Sequence, residues 1–399
     1  VAWKSTRLDA IASIQTGPFG SQLHQEDYVE VGTPIITVEH LGGYRITRDN
    51  LPMVSDDDAE RLRKYSLLPG DVVFSRVGSV DQSSFVTGDE EGWLFSGRCL
   101  RVRPRPDEVD PRFIYYSLNT SEVKSFIRAI AVGATMPSIN TAILSEVQIS
   151  LPPVAQQRRI SSILGSIDDK IATNRRAVQQ LDKLRNALWQ RNLQDGSAPI
   201  PLSSLASFVN GGAFTKGATG TGRVVVRIAE MSGGIGNSTV RNELAVPETQ
   251  VVRNGDLLFS WSGTLMVKRW PHDEAIVNQH IFKVIPDRDF PAAFLDCAIE
   301  QQLEYFRMIA AGKATTMGHI KRSDLEAEVE IPVSIREDDL QLAGSLWDLA
   351  VALEKENLTL AKTRDELLPL LMSGKITVKE AEQDATAASA DIASEEYKA

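Results

Sequence analysis

Two acidic residues and a lysine raise the question of catalysis first. Pro106-Asp107 is followed, after 14 intervening residues, by Glu122-Val-Lys124, which matches the loose PD-(D/E)xK nuclease pattern. That chemistry needs the aspartate and the Glu-x-Lys on adjoining strands to hold a metal for phosphodiester cleavage. Here Glu122 and Lys124 fall within residues 113–130, whose apolar spacing predicts an amphipathic helix. Leu151-Pro-Pro-Val lacks both the amide or acid and the aromatic with which an adenine methyltransferase orients its base. A phosphate-cradling Gly-x-x-x-x-Gly-Lys-Ser/Thr run is missing as well. Cys99 and Cys297 are the only cysteines and the five histidines are scattered, so neither a disulfide framework nor a four-thiolate zinc site can form. Both cysteines are expected to be buried fillers. The chain is read as non-catalytic, with no catalytic residue, metal or cofactor of its own.

Charge and composition narrow the alternatives. No stretch approaches the roughly 18 to 20 apolar residues of a membrane span, and Lys4, Arg7 and Asp9 interrupt any signal-peptide core; a cytoplasmic protein is expected. The net charge of −10 argues against a simple nucleic-acid coat, but an average conceals patches. Residues 376–399 carry Glu380, Glu382, Asp384, Asp391, Glu395 and Glu396 against Lys379 and Lys398 in an alanine- and serine-rich setting. This acidic tail is read as disordered. Basic residues gather elsewhere, in Arg98-Cys-Leu-Arg101-Val-Arg103-Pro-Arg105, Arg175-Arg176, Lys268-Arg269 and Lys321-Arg322.

The elements that must position any site occur twice. Leu8-Asp-Ala-Ile-Ala-Ser-Ile-Gln-Thr-Gly17 is echoed by Leu202-Ser-Ser-Leu-Ala-Ser-Phe-Val-Asn-Gly211, with the closing glycine in register. Pro34-Ile-Ile-Thr-Val answers Val224-Val-Val-Arg-Ile, and Pro69-Gly-Asp-Val-Val-Phe-Ser75 answers Asn254-Gly-Asp-Leu-Leu-Phe-Ser260; the latter pair reads as turn then strand. Gly78 and Gly263 follow at equivalent places, then Leu100-Arg-Val-Arg-Pro104 and Phe282-Lys-Val-Ile-Pro286. A helix is expected next in both copies, over 113–130 and 294–309. Each then leads through Gly133 or Gly312 and a Thr-Met pair to a closing strand that ends in proline.

Each copy finishes in a long helix with a heptad seam. The first seam is Ile160, Leu164, Ile167, Ile171, Asn174, Val178, Leu181, Arg185 and Leu188; the second is Leu346, Ala350, Leu353, Asn357, Leu360, Arg364, Leu367 and Leu371. Two such helices can pair as an antiparallel coiled coil. Pro369 is expected to interrupt the second near its end. About 30 helical residues span roughly 45 Å, commensurate with the 34–36 Å or so of one B-DNA turn.

These residues resemble the specificity subunits of type I restriction-modification systems. Thr16-Gly-Pro-Phe-Gly-Ser21, Asp27-Tyr28 and Gly32-Thr-Pro-Ile-Ile look like the opening of a target recognition domain, and Leu68-Pro-Gly-Asp-Val-Val-Phe-Ser-Arg76 looks like its central strand. Leu151-Pro-Pro-Val-Ala-Gln-Gln-Arg-Arg-Ile160, continuing through Leu164, Ile167-Asp168 and Lys170-Ile171, is similar to the family's first helical region. The second copy departs from this pattern: Ala213-Phe214 stands in place of Pro-Phe-Gly, and Ile331-Pro-Val-Ser-Ile lacks the second proline. The resemblance implies an α/β (α+β) chain of two tandem target recognition domains, at 1–152 and 200–333. Each is followed by a long helix, at 153–195 and 334–375. It also implies double-stranded DNA bound as a split target, two methyltransferase subunits, and restriction and translocase subunits in a prokaryotic cytoplasm. S-adenosylmethionine, ATP and magnesium would sit on those partners and none on this chain.

Loop residues able to reach base edges or phosphates complete the reading. In the first copy they are Arg76, Ser79, Gln82, Ser83, Arg98, Thr135, Ser138 and Asn140. In the second they are Trp261, Ser262, Thr264, Lys268, Arg269, Asn278, Gln279, His280, Lys313, Thr315, Thr316 and Lys321. Arginine can grip guanine bidentately, and asparagine or glutamine adenine. The alternative is a coiled-coil scaffold that assembles proteins without touching DNA.

Overall fold

The structure, a computed structural model, describes residues 3–18, 22–133, 135–287, 290–312 and 318–381. Two compact units divide the chain: residues 1–172 with 360–399, and residues 173–359. Each takes one globular part and a stretch of both long helices.

In the first unit, the central sheet runs in the order Ala12–Thr16, Cys99–Pro104, Val72–Ser75, Ser83–Phe85, all antiparallel. Val72–Ser75 is buried throughout because each face meets a core. Val72 and Phe74 join Leu100, Val102, Phe113 and Leu118 on one side. Val73 and Cys99 join Ile35, Ile36, Leu94 and Phe95 on the other. Strand alternation thus serves two cores at once, which is why the sequence reads as an unbroken apolar run. The second core is capped by a small sheet in which Thr33–Ile36 pairs in parallel with Leu94–Phe95. Lys4–Arg7 pairs with the closing strand Gln148–Leu151.

In the second unit, the same plan recurs with the same register. The central sheet runs Ala206–Asn210, Ile281–Pro286, Leu257–Ser260, Met266–Arg269. Leu257 and Phe259 face one core, Leu258 and Ile281 the other. Arg223–Val226 pairs in parallel with Ala275–Val277, and Ser197–Pro201 pairs with Glu328–Pro332. The turn before each central strand is built alike. Gly70 (φ +96°) and Gly255 (φ +86°) supply the left-handed residue. The next residue closes the turn: Asp71 accepts from the Leu68 N–H at 2.9 Å, and Asp256 from the Arg253 N–H at 2.7 Å.

The long helices are Val154–Gln194 and Glu337–Met372. In the first unit Ile160, Leu164, Ile167 and Ile171 share a core with Leu367 and Leu371, and Leu360 packs against it half-buried. Arg364 crosses to Asp168 at 2.7 Å. In the second unit Val178, Leu188, Leu346 and Ala350 are buried, whereas Leu181 and Leu353 are half-buried. There Asn174 donates to Glu356 at 2.6 Å and Asn192 to Asp339 at 2.7 Å. As one partner's number rises the other's falls, so the two helices run antiparallel.

Three local expectations need correction. Residues 113–130 form two helices, Pro111–Leu118 and Ser121–Ile130, because Thr120 accepts from the Val123 N–H at 3.4 Å and starts a new helix. The second copy lacks such a cap and runs unbroken over Leu295–Gly312. Pro369 does not end its helix, which continues to Met372. The disorder expected from residue 376 does not begin there: Thr377 and Glu380 cap one another, and Ala381 is fully buried in the first core. The rest of the tail, 382–399, lies outside the described residues. Among the described residues no helix is long and apolar enough to cross a membrane.

Candidate nucleic-acid interface

Three backbone segments meet at one end of each central sheet, held by one set of hydrogen bonds used twice. In the first unit the Arg76 N–H donates to the Arg98 carbonyl at 2.8 Å, the Ile139 N–H to the Arg76 carbonyl at 2.9 Å, and the Gly78 N–H to the Pro137 carbonyl at 2.8 Å. In the second the Trp261 N–H donates to His280 at 3.2 Å, the Ile320 N–H to Trp261 at 3.0 Å, and the Gly263 N–H to Gly318 at 2.8 Å. Gly78 and Gly263 turn the chain with φ of +74° and +67°. The glycines that close the first strand of each copy have a different reason. A Cβ on Gly17 would lie 2.2 Å from the Ser96 carbonyl oxygen, and one on Gly211 equally close to those of Val277 and Asn278. Only glycine lets these strands pass so near their neighbours.

On this frame the first copy presents Ser79, Gln82, Arg98, Thr135 and Asn140 exposed, with Arg76 and Ser138 half-buried. Arg76 donates to the Gly97 carbonyl at 3.1 Å and Ser138 to Val132 at 3.2 Å, so both also brace the loops. Asn140 accepts from the Ile143 N–H at 2.8 Å and caps a short helix. Ser83 is buried and accepts from Asn119 at 2.9 Å, out of reach of a duplex. The basic run that begins at Arg98 divides. Arg103 makes two 2.7 Å bonds to Asp71. Arg101 is buried against the Ser66 carbonyl at 3.0 Å, and that burial lowers its guanidinium pKa. These two arginines serve the fold rather than a solvated face.

The second copy presents Thr264, Gln279 and Lys321 exposed at the loops. Trp261 is half-buried, donates through Nε1 to Asn210 at 3.0 Å, and lies 5.6 Å from the His280 ring and 5.8 Å from that of Phe282. Ser262 and Asn278 are buried. Lys268 is exposed on Met266–Arg269, opposite Leu258 and away from the loop. Arg269 is the clearest correction: its side chain is 7% exposed and gripped by Asp182 and Glu354, so it is not available to a base. Lys313, Thr315 and Thr316 fall outside the described residues. Asn210 and His319 were not singled out in the sequence, though both belong to this cluster; Asn210 precedes the repeated glycine, which was the only signal for it. Val132 and Met136, exposed apolar residues in the first copy's loop, were missed as well.

Glu122 and Lys124 lie on the helix Ser121–Ile130. Among the described residues no three His, Cys, Asp or Glu side chains gather so as to hold a metal ion. Both cysteines are buried, and burial pushes the Cys99 thiol up to about 12.

A doubled loop platform on antiparallel helices has a counterpart among known proteins. Residues 1–183 match the profile of the type I restriction modification DNA specificity domain. Over those residues the chain is similar to that family. The MjaX specificity subunit of Methanocaldococcus jannaschii is 28% identical over 171 residues, which are 42% of this chain and 40% of that protein. The same organism's type I restriction enzyme MjaIX specificity subunit is 24% identical over 314 residues, 69% of this chain and 71% of its own length. The chain thus spans less than half of the MjaX subunit but most of MjaIX. A crystal structure of the type I restriction-modification system S subunit from M. genitalium shares the fold, with a TM-score of 0.54 at 16% identity over 92% of this chain and 96% of that one. The loop platform of the first unit therefore lies inside the matched specificity domain. The loops of the second unit lie beyond residue 183 and are related to it by the repeat.

Proposed function

We propose that this chain is the DNA specificity subunit of a type I restriction-modification complex and does no chemistry itself. Each globular part reads one half of a bipartite target with its loop platform, and the paired helices join the two readers. The observation that carries the reading is the recurrence, in both units, of one hydrogen-bonded platform that carries differing side chains. A frame kept constant while the residues it carries change from Arg76, Arg98 and Asn140 to Trp261, His280 and Lys321 suits two readers of different sequences. Arg98 and Lys321 supply positive charge for phosphates, and the exposed amides of Gln82 and Gln279 can pair with adenine edges. The partners proposed are two methyltransferase subunits and the restriction and translocase subunits. Any S-adenosylmethionine, ATP and magnesium would be theirs.

The test is to co-express the chain with the methyltransferase encoded beside it and map methylated bases across the host genome. A bipartite motif with a fixed unspecified spacer, lost when the chain is deleted, is expected. Methylation that does not depend on the chain, despite stable assembly, would favour the scaffold.

A further inference from the structure

In the second unit, two arginines lie against one indole. The guanidinium carbons of Arg185 and Arg269 stand 5.0 and 4.9 Å from the ring of Trp347. Arg269 makes four bonds to carboxylates: 2.7 and 2.9 Å to Asp182, 3.0 and 3.2 Å to Glu354. Arg185 grips Asp296 through both Nη atoms, one at 2.5 Å, and also donates to Asp182 at 2.9 Å. Their side chains are only 3% and 7% exposed. Burial opposes both charges, but the carboxylate hydrogen bonds more than offset it and hold both guanidinium pKa values above normal.

Four elements converge on this cluster. Arg269 ends the strand Met266–Arg269 and Asp296 begins the helix Leu295–Gly312, both in the globular part. Asp182 and Arg185 belong to the first long helix, Trp347 and Glu354 to the second. As glue, such a network is inefficient, because well-packed apolar residues often stabilise as much or more once the charges no longer need desolvating. What it adds is direction: a planar fork bonded to two carboxylates and stacked on a ring admits one pose. The strand carrying Arg269 pairs along Leu257–Ser260, with Arg269 opposite Leu257 and Met266 opposite Ser260. The clamp therefore holds one end of a strand pair whose other end carries the loop Trp261–Thr264.

The geometry points to Arg269, Asp182 and Trp347 as positioning residues that set the pose of the second reading loop on its stretch of the long helices, and so the spacing at which the second half-site is accepted. This rests on the bipartite reading proposed above. One base pair of spacer moves a half-site by about a tenth of a helical turn, so a rigid pose rejects it and a loosened pose tolerates it.

The test uses the full chain assembled with its methyltransferase and duplexes bearing the mapped target with its native spacer, or one base pair longer or shorter. Wild type is expected to prefer the native spacer by about tenfold or more. In Arg269→Gln that preference falls to about threefold or less, while base changes inside the second half-site still cost as much as in wild type. Trp347→Phe, which keeps an aromatic platform, gives an intermediate ratio and secures the test if the first variant does not fold. A variant that keeps the wild-type spacer ratio, or loses sequence preference together with it, overturns the inference. A wild-type complex with no bipartite target refutes the underlying reading instead.

Discussion

The N–H of Gly78 donates to the carbonyl oxygen of Pro137 at 2.8 Å and ties the turn after the central strand to the loop before the closing strand. Gly78 holds φ at +74°, and nothing lies within 4 Å of where its Cβ would be. The constraint is backbone handedness alone. Gly78→Val is predicted to cost about 1–2 kcal/mol in denaturant unfolding and to weaken binding of the first half-site, with the second half-site unchanged in competition binding.

The two strand-closing glycines answer to crowding instead. Gly211→Ala drives a methyl group against the carbonyl oxygens of Val277 and Asn278. It should lower stability by about 1–3 kcal/mol. Hydrogen exchange should show the loss in residues 173–359 and leave the first unit protected, since each unit has its own cores.

Arg98 and Lys321 are exposed cations on the two platforms. Replacing either by alanine should reduce the slope of log affinity against log salt by about 1 without changing which bases are preferred. Unchanged slopes for both would place the phosphate backbone elsewhere.

Asp182 provides a pH test. Burial raises its carboxyl pKa, but the hydrogen bonds from Arg269 and Arg185 more than offset this and hold it below the ordinary value. A depressed folded pKa means the stabilisation is present above the unfolded value of about 3.9 and is lost as pH falls through the folded one. Asp182→Asn should therefore destabilise by about 1–2 kcal/mol at pH 7, discounted for its partial exposure. The gap from wild type should close below about pH 4 in urea titrations.

Much of this was legible in the sequence because it is written twice. The Gly-Asp turns, the fully apolar central strands and the glycines at 17 and 211 stand out by recurring, and each proves to have one physical cause in both copies. Single-copy features were harder to read. The break at Thr120 depends on a cap the second copy lacks, and the packing of half-buried Ile376 and buried Ala381 depends on a core that the acidic composition nearby conceals. Site residues were least legible. Arg269 and Arg98 look alike as basic residues near strand ends, yet one is locked between carboxylates and the other faces solvent, a difference made by residues such as Glu354 that are distant in sequence.

If the chain reads a bipartite target, each platform reads its own half-site independently of the other. The most direct measurement exchanges residues 200–333 for the same region of a relative with a different target and maps methylation in cells carrying the chimera. One half of the motif is expected to change while the other half persists. A change in both halves, or in neither, would contradict it.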